Sequence, residues 1–405
     1  MSVPKLRFKE FDGDWSEKII SDIADVRGGK RLPKGYSLVE SDTGYPYITV
    51  TDMEDGTVNC DKIRYVPLDA VDQIKRYRIT VDDIYISVAG TLGLVGIIPH
   101  ELNNANLTEN ADKLTNIKCD QKYLLQYLNN GSLSQLIDSV STVGAQPKLA
   151  LYAIQGMSIF LPANPEQTKI ASFLSAVDEK ISQLSQKHEL LSQYKQGMMQ
   201  KLFSQQIRFK ADDGSAFGEW ESRSLGEVGE NIIGLTYSPT DVTNDGSGIL
   251  VLRSSNIKNG RLDKSDQVRV NKKIKDKIIV QANDILICTR NGSQRLIGKS
   301  VIINDDEEMT FGAFMSVYRS EYNRFIAYLM QTPWFFEQVQ MNLGARINQI
   351  TTGTLNEFTF DFPCLEEQTK IANFLSAIDQ KIEVVAQQIE QAKTWKKGLL
   401  QQMFV

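Results

Sequence analysis

The sequence predicts an α+β fold: two α/β domains related by pseudo-two-fold symmetry and separated by an antiparallel coiled coil of two long helices. Three observations predict it. A 16-residue segment is written twice, as EQTKIASFLSAVDEKI at 166–181 and as EQTKIANFLSAIDQKI at 367–382, an offset of 201 residues. Each copy opens a run whose apolar residues recur at alternating steps of four and three, the signature of a helical seam. The stretch before each copy instead carries short strand-like runs bounded by Gly, Asp and Asn.

The elements follow in chain order. Residues 1–163 form the first α/β domain, with strand-like runs PYITVTDM and DIYISVAG. Residues 164–206 form the first helix. Asn164 is placed as its N-cap, Pro165 at the first helical position and Gln167 as the distal member of a capping box. Its seam is Ile170, Leu174, Val177, Ile181, Leu184, His188, Leu191, Lys195, Met198 and Leu202. Residues 207–363 form the second α/β domain, with runs GILVLRSSNI and DILICTRNG. Residues 364–405 form the second helix, whose seam is Ile371, Leu375, Ile378, Ile382, Val385, Ile389, Ala392, Lys396, Leu399 and Met403. Each helix should run about 38 residues, roughly 57 Å. An amphipathic stripe of that length needs a partner, and the other copy is the nearest.

The repeat extends beyond the helices. KQGMMQKLF at 195–203 aligns with KKGLLQQMF at 396–404, and RFK at 7–9 with RFK at 208–210. Between these anchors the halves diverge, and VRGGKRLPKGY has no close counterpart near NIIGLTYSPTD. Lys195 and Lys396 interrupt the seam at equivalent positions, either as snorkelling side chains or as register-setting or partner-contacting charges. Gly197 and Gly398 mark either fraying or a close helix approach and docking site. His188 is a seam residue, not a ligand.

Composition bounds the function. Hydrophobic residues make up 41% and charged residues 23%, as in an ordinary globular protein. No apolar run reaches the roughly 20 residues of a membrane span, and the N-terminus lacks a secretory signal, so a cytoplasmic location is expected. The four cysteines are scattered without a CxxC pair, and two histidines leave little for a zinc site or a His-based triad. The net charge of −5 excludes a chain that coats DNA by bulk charge.

Catalytic motifs are hard to find. NGSQRLIGKS has five residues, not four, between Gly292 and the Gly298-Lys299 pair, and a strand-like VIIN follows where a phosphate loop needs a helix. Gly246-Ser247-Gly248 precedes a strand, where a dinucleotide fingerprint should follow one. Asp52, Glu54 and Asp55 in TDMEDG read as a turn cluster. No catalytic or metal-binding residue and no cofactor is assigned to the chain.

What remains is recognition chemistry. The first domain offers Arg27, Lys30, Arg31 and Lys34 among glycines, Arg76 in IKRYR, and Gln146 and Lys148 in GAQPK. The second offers Arg253, Ser255 and Asn256, then Arg290, Asn291, Ser293, Gln294 and Arg295, then Arg346, Asn348 and Gln349. Lys and Arg neutralise phosphates, while Arg fits guanine edges and Asn or Gln fits adenine edges in the major groove. For the coiled coil and partner docking the candidates are Ile170, Leu174, Val177, Ile181, Lys195 and Gly197 with Ile371, Leu375, Ile378, Ile382, Lys396 and Gly398.

The doubled EQTKIA-x-FLSA-x-D-x-KI motif, the KxG…QxxF ends and the LRFKEF…W start resemble the specificity (S) subunit of type I restriction–modification systems over essentially the whole chain. The resemblance implies a non-catalytic DNA-recognition subunit with two target-recognition domains that bind a bipartite, asymmetric sequence with a fixed gap. It implies two modification (M) subunits that use S-adenosylmethionine to methylate adenine. It also implies up to two restriction (R) subunits that use ATP and Mg. A stand-alone methyltransferase or nuclease, and a scaffold that grips polypeptides, are the alternatives from other classes.

Overall fold

The computed structural model describes residues 3–140, 148–343 and 348–405. Contacts divide the chain into two compact units. The first holds residues 1–186 with 386–405, the second residues 187–385, so each unit takes part of both long helices.

In the first unit, the strands Asp25–Gly28, Ala111–Thr115, Ile84–Ser87 and Val95–Ile97 form an antiparallel sheet in that order. Ile84, Tyr85 and Ile86 are all fully buried, because this strand is covered on both faces. A second four-stranded sheet has the order Arg64–Tyr65, Pro46–Ile48, Ala105–Leu107, Arg78–Ile79, with the central pair parallel. A two-stranded ribbon of Ser16–Ile19 and Ser158–Leu161 leads directly into the first long helix.

The second unit repeats the plan. Glu230–Ile233, Met315–Arg319, Ile285–Cys288 and Ser300–Ile302 form the antiparallel sheet. Val242–Thr243, Arg269–Val270, Ile249–Leu252 and Met309–Phe311 form the other, and its last pair is again parallel. Glu221–Ser224 pairs with Thr359–Phe362 ahead of the second long helix.

This corrects one expectation. VRGGKRL and NIIGLTY are structural counterparts after all. Lys30 N–H bonds the Leu107 carbonyl as Leu235 N–H bonds that of Phe311. A Cβ on Gly29 would stand 2.0 Å from the Thr108 carbonyl oxygen, and one on Gly234 would stand 2.2 Å from that of Gly312. Glycine is required there by the protein's own backbone crossing, not by an approaching phosphate. One shared glycine is too small a signal for sequence comparison.

The long helices are Asn164–Phe203 and Leu365–Met403, with 40 and 39 residues. Gln167 does not close a capping box. It is buried, its Nε2 donates to the Pro162 carbonyl and its Oε1 accepts from Asp120 N–H. Gln368 Nε2 donates to Pro363 in the same way.

The seam is only partly a helix–helix seam. In the first unit Ile170, Leu174 and Val177 join Leu399, Leu400, Met403 and Phe404 in one core with Tyr123, Tyr127 and Ile159 of the α/β body. In the second, Ile371, Leu375 and Ile378 join Met199 and Leu202 in a core with Phe325 and Phe362. Met199 is the buried methionine, while the expected Met198 is half-buried. Within each unit the early part of one long helix thus lies with the late part of the other, and the two helices run antiparallel.

The seam lysines are ion-paired. In the second unit Lys195 Nζ lies 2.7 Å from Asp379, and in the first Lys396 Nζ lies 2.6 Å from Asp178. The same Lys–Asp contact is made once in each unit, with the copies exchanged. Lys195 also stands over the Tyr328 ring at 5.2 Å, and the Tyr328 hydroxyl donates to Asp379. A Cβ on Gly197 or Gly398 would meet nothing within 4 Å, so neither glycine permits a close helix approach inside this chain.

The repeated motifs now have causes. Arg7 Nε and Nη2 bond the two carboxylate oxygens of Glu166, both at 2.7 Å, and Arg208 holds Glu367 likewise at 3.1 and 2.7 Å. The same Nη2 also donates to the Gly13 or Gly218 carbonyl at 2.6 Å. Phe8 packs edge-on against Phe173, as Phe209 does against Phe374. The RFK and EQTKIA-x-F motifs are therefore the two halves of one clamp that fixes each α/β domain to its helix.

Candidate nucleic-acid interface

The first domain's candidates lie mostly on its surface, with their charges unequally committed. Arg27 pairs with Asp25 at 2.9 Å. Arg31 pairs with Glu109, which raises the basicity of the guanidinium and neutralises it. Lys30 lies over the Tyr77 ring at 5.7 Å. Lys34, Arg76 and Lys148 are exposed and have no ion pair among the described residues. Gln146 lies outside the described residues, as does Arg346 in the second domain.

In the second domain the structure brings several candidates to one cleft. Its walls come from the stretch after Glu230–Ile233, the loop after Ile249–Leu252, the loop after Ile285–Cys288 and the tight turn between Met309–Phe311 and Met315–Arg319, with Asp266, Val268 and Asn348 added from elsewhere in the domain. Arg253, Ser255, Arg290, Asn291 and Asn348 line it together with Tyr237, Asp266 and Phe314. Backbone bonds hold the loops in register. Asn291 N–H donates to the Asn348 carbonyl, and Arg290 bridges to Gln349.

The polar groups of this cleft differ in what they leave free. Arg253 is bound to Asp266 at 2.6 Å. The Ser255 hydroxyl, and after it the Arg253 guanidinium, hold Asp266 below the usual carboxylate range. Asn291 donates to the Ser254 hydroxyl and accepts from Ser293 N–H, so it shapes its own loop. Asn348 Nδ2 donates to the Gly292 carbonyl. Gln294 donates to Gln340, and Arg295 and Gln349 are exposed. Arg290 is exposed, pairs with no carboxylate among the described residues, and lies over the Phe314 ring at 4.9 Å.

Asn256 is a correction. It is fully buried, and its amide donates to the carbonyls of Asp263 and Asp266 while its oxygen accepts from Arg253 N–H. Both its donors are spent on folding the loop, and full burial keeps the remaining acceptor site out of reach of a base. The sequence reading missed Phe314, which sits inside the apolar run MTFGAFMSVY and looks like core, yet is 58% exposed.

Among the described residues no group of three or more His, Cys, Asp or Glu side chains assembles to hold a metal, and no helix is long and apolar enough to cross a membrane. One two-sheet module, built twice with different loop chemistry and clamped each time to a near-identical helix, defines a duplicated recognition protein. The model of the type I restriction modification DNA specificity domain matches residues 12–193 and again 218–394. The chain belongs to that family: it is a type I restriction–modification specificity subunit. It is 25% identical over 424 residues to the type I restriction enzyme MjaVIII specificity subunit of Methanocaldococcus jannaschii, covering 97% of this chain and 94% of that one. It is 28% identical over 179 residues to the EcoKI specificity subunit of Escherichia coli K12, covering 42% of this chain and 39% of that one. The fold matches the crystal structure of the type I restriction–modification system S subunit from M. genitalium, with a TM-score of 0.61, 15% identity and coverage of 100% and 99%.

Proposed function

We propose that this chain reads a bipartite, asymmetric DNA sequence, one half-site per α/β domain, with a fixed non-specific gap set by the long helices. It docks two modification subunits on the repeated helical segments, around Lys195, Gly197, Lys396 and Gly398, and up to two restriction subunits join them. The chemistry belongs to those partners: adenine methylation with S-adenosylmethionine, and ATP- and Mg-dependent cleavage. This chain contributes no reaction, binds no cofactor and works in the cytoplasm.

The observation that carries this reading is the contrast between what repeats and what does not. The clamp and the Lys–Asp pair are duplicated, residue for residue. The loops are not: Arg253, Arg290 and Asn291 surround a cleft in one domain, while Arg27, Arg31 and Lys34 lie on the other. Identical surfaces suit two copies of one partner, and different loops suit two different base sequences.

The test is to map N6-methyladenine in DNA from cells carrying the chain with its modification subunit, then repeat after exchanging residues 1–163 for the corresponding domain of another family member. One half of the methylated sequence should change and the other should stay. A change in both halves refutes the modular reading. Methylation by the purified chain alone would establish a stand-alone enzyme.

A further inference from the structure

Phe314 occupies an unusual position. The turn between Met309–Phe311 and Met315–Arg319 is pinned on several sides: Gly312 N–H to the Leu252 carbonyl, Ala313 N–H to that of Leu235, and Met315 N–H to that of Gly312. The Phe314 carbonyl accepts from the Thr289 and Arg290 N–H groups and from the Thr289 hydroxyl. A backbone this constrained cannot turn the ring inward, and 58% of the side chain faces solvent. The ring is thus held out into a cleft that also holds Arg290 and Asn291, where a ligand would meet an apolar and a polar surface together.

The charge beside it selects the ligand. Of the two arginines that line the cleft among the described residues, Arg253 is neutralised by Asp266, and Arg290 makes no ion pair with any described residue. Its guanidinium carbon lies over the Phe314 ring, 4.9 Å from the centroid, a contact that favours one side-chain arrangement, and its N–H donors bond no acceptor among the described residues. A planar two-donor fork matches the O6 and N7 acceptors of guanine, and an apolar ring edge matches the C5-methyl group of thymine, both in the major groove.

We propose that Arg290 and Phe314 form a stacked pair that reads one base step of duplex DNA, Arg290 taking a guanine and Phe314 the methyl group of a neighbouring thymine. The proposal rests on the reading of the second domain as a DNA-binding module. It adds a commitment: the half-site of that domain contains a guanine next to an A·T pair.

The experiment selects duplexes from a randomised library with the full chain, alone and with its modification subunits added. Affinity is then measured as 7-deazaguanine replaces each guanine in turn and deoxyuridine each thymine. The first removes only the N7 acceptor and the second only the methyl group. One guanine should be sensitive by roughly 2- to 12-fold, about half of what the two-bond contact is worth, and a thymine in the same or the adjacent base step by about four-fold. Arg290→Ala should abolish the sensitivity to 7-deazaguanine at that position, and Phe314→Ala the sensitivity to deoxyuridine, while the other half-site keeps its preference and so reports that the chain is folded. Should a variant misfold, the modified duplexes on the native chain decide alone. Insensitivity to both analogues overturns the proposal. So does an Arg290→Ala loss that is equal on all sequences, which would make Arg290 a phosphate contact. If the native chain selects no sequence at all, the DNA-reading function fails rather than the residue pair.

Discussion

Glu367→Ala tests whether the duplicated motifs are a structural clamp. Glu367 is 0% exposed, and three donors converge on it: Arg208 Nε at 3.1 Å, Arg208 Nη2 at 2.7 Å and Trp220 Nε1 at 3.1 Å. Removing the carboxylate strands a guanidinium whose side chain is only 23% exposed. Breaking a buried pair this way costs about 3–5 kcal/mol, and partial rehydration of Arg208 puts the expected loss near the lower end, about 3 kcal/mol. Urea unfolding followed by tryptophan fluorescence is the assay. Trp15 and Trp395 report on the first unit, and Trp220 and Trp334 on the second. The Trp220/Trp334 transition should fall in stability, with the remaining tryptophans read after Phe replacements. The double change Arg208→Leu with Glu367→Leu should recover most of the loss, because no buried charge is then left unpaired. A loss below about 1 kcal/mol for Glu367→Ala, or a double variant no better than the single, would refute the clamp as a source of stability.

Two further outcomes follow from the same geometry. Asp379→Ala should cost about 0.5–1 kcal/mol, since the Asp379 side chain is 41% exposed. Asp379→Lys should cost more and be partly rescued by Lys195→Asp, and absence of rescue in thermal melts would show that the pair does not set register. Burial pushes the Cys119 and Cys288 thiols up to about 11 and raises the Cys60 thiol as well, but Cys60 and Cys364 are exposed and so open to reagent. A raised pKa keeps the reactive thiolate scarce at mildly alkaline pH, so a disulfide reagent should label Cys60 and Cys364 in the native chain and the other two only after unfolding. Rapid labelling of Cys288 would contradict its packing.

The long helices and the duplication were legible in the sequence, because heptad spacing and a 16-residue repeat are strong, redundant signals. The shared two-sheet plan was not. Its common feature, the backbone crossing at Gly29 and Gly234, needs one glycine in each copy, and the residues around it differ between the copies. The misreadings have physical causes as well. Gln167 had the spacing of a capping residue, but a carbonyl at Pro162 and an N–H at Asp120 compete for its amide. Asn256 had the chemistry of an adenine reader, but it folds its own loop before any base arrives. Phe314 had the surroundings of a core residue, and only the pinned turn turns it outward.

That pattern explains why identity is concentrated where it is. Within the repeat, Glu166 and Glu367 are fixed by an arginine about 160 positions earlier, Phe173 and Phe374 by a phenylalanine, and Asp178 and Asp379 by a lysine on the other helix. The Lys–Asp contact constrains both copies at once, because each copy supplies the lysine of one pair and the aspartate of the other. A change in one copy must suit a residue in the other. The loops of the α/β domains carry no such obligation. Arg290 on its ring and Arg31 on its glutamate need only a correctly folded sheet behind them. Constraint by reciprocal contact on the helices and freedom at the loops are two consequences of one arrangement, which would let a new loop chemistry be installed without disturbing what the helices hold.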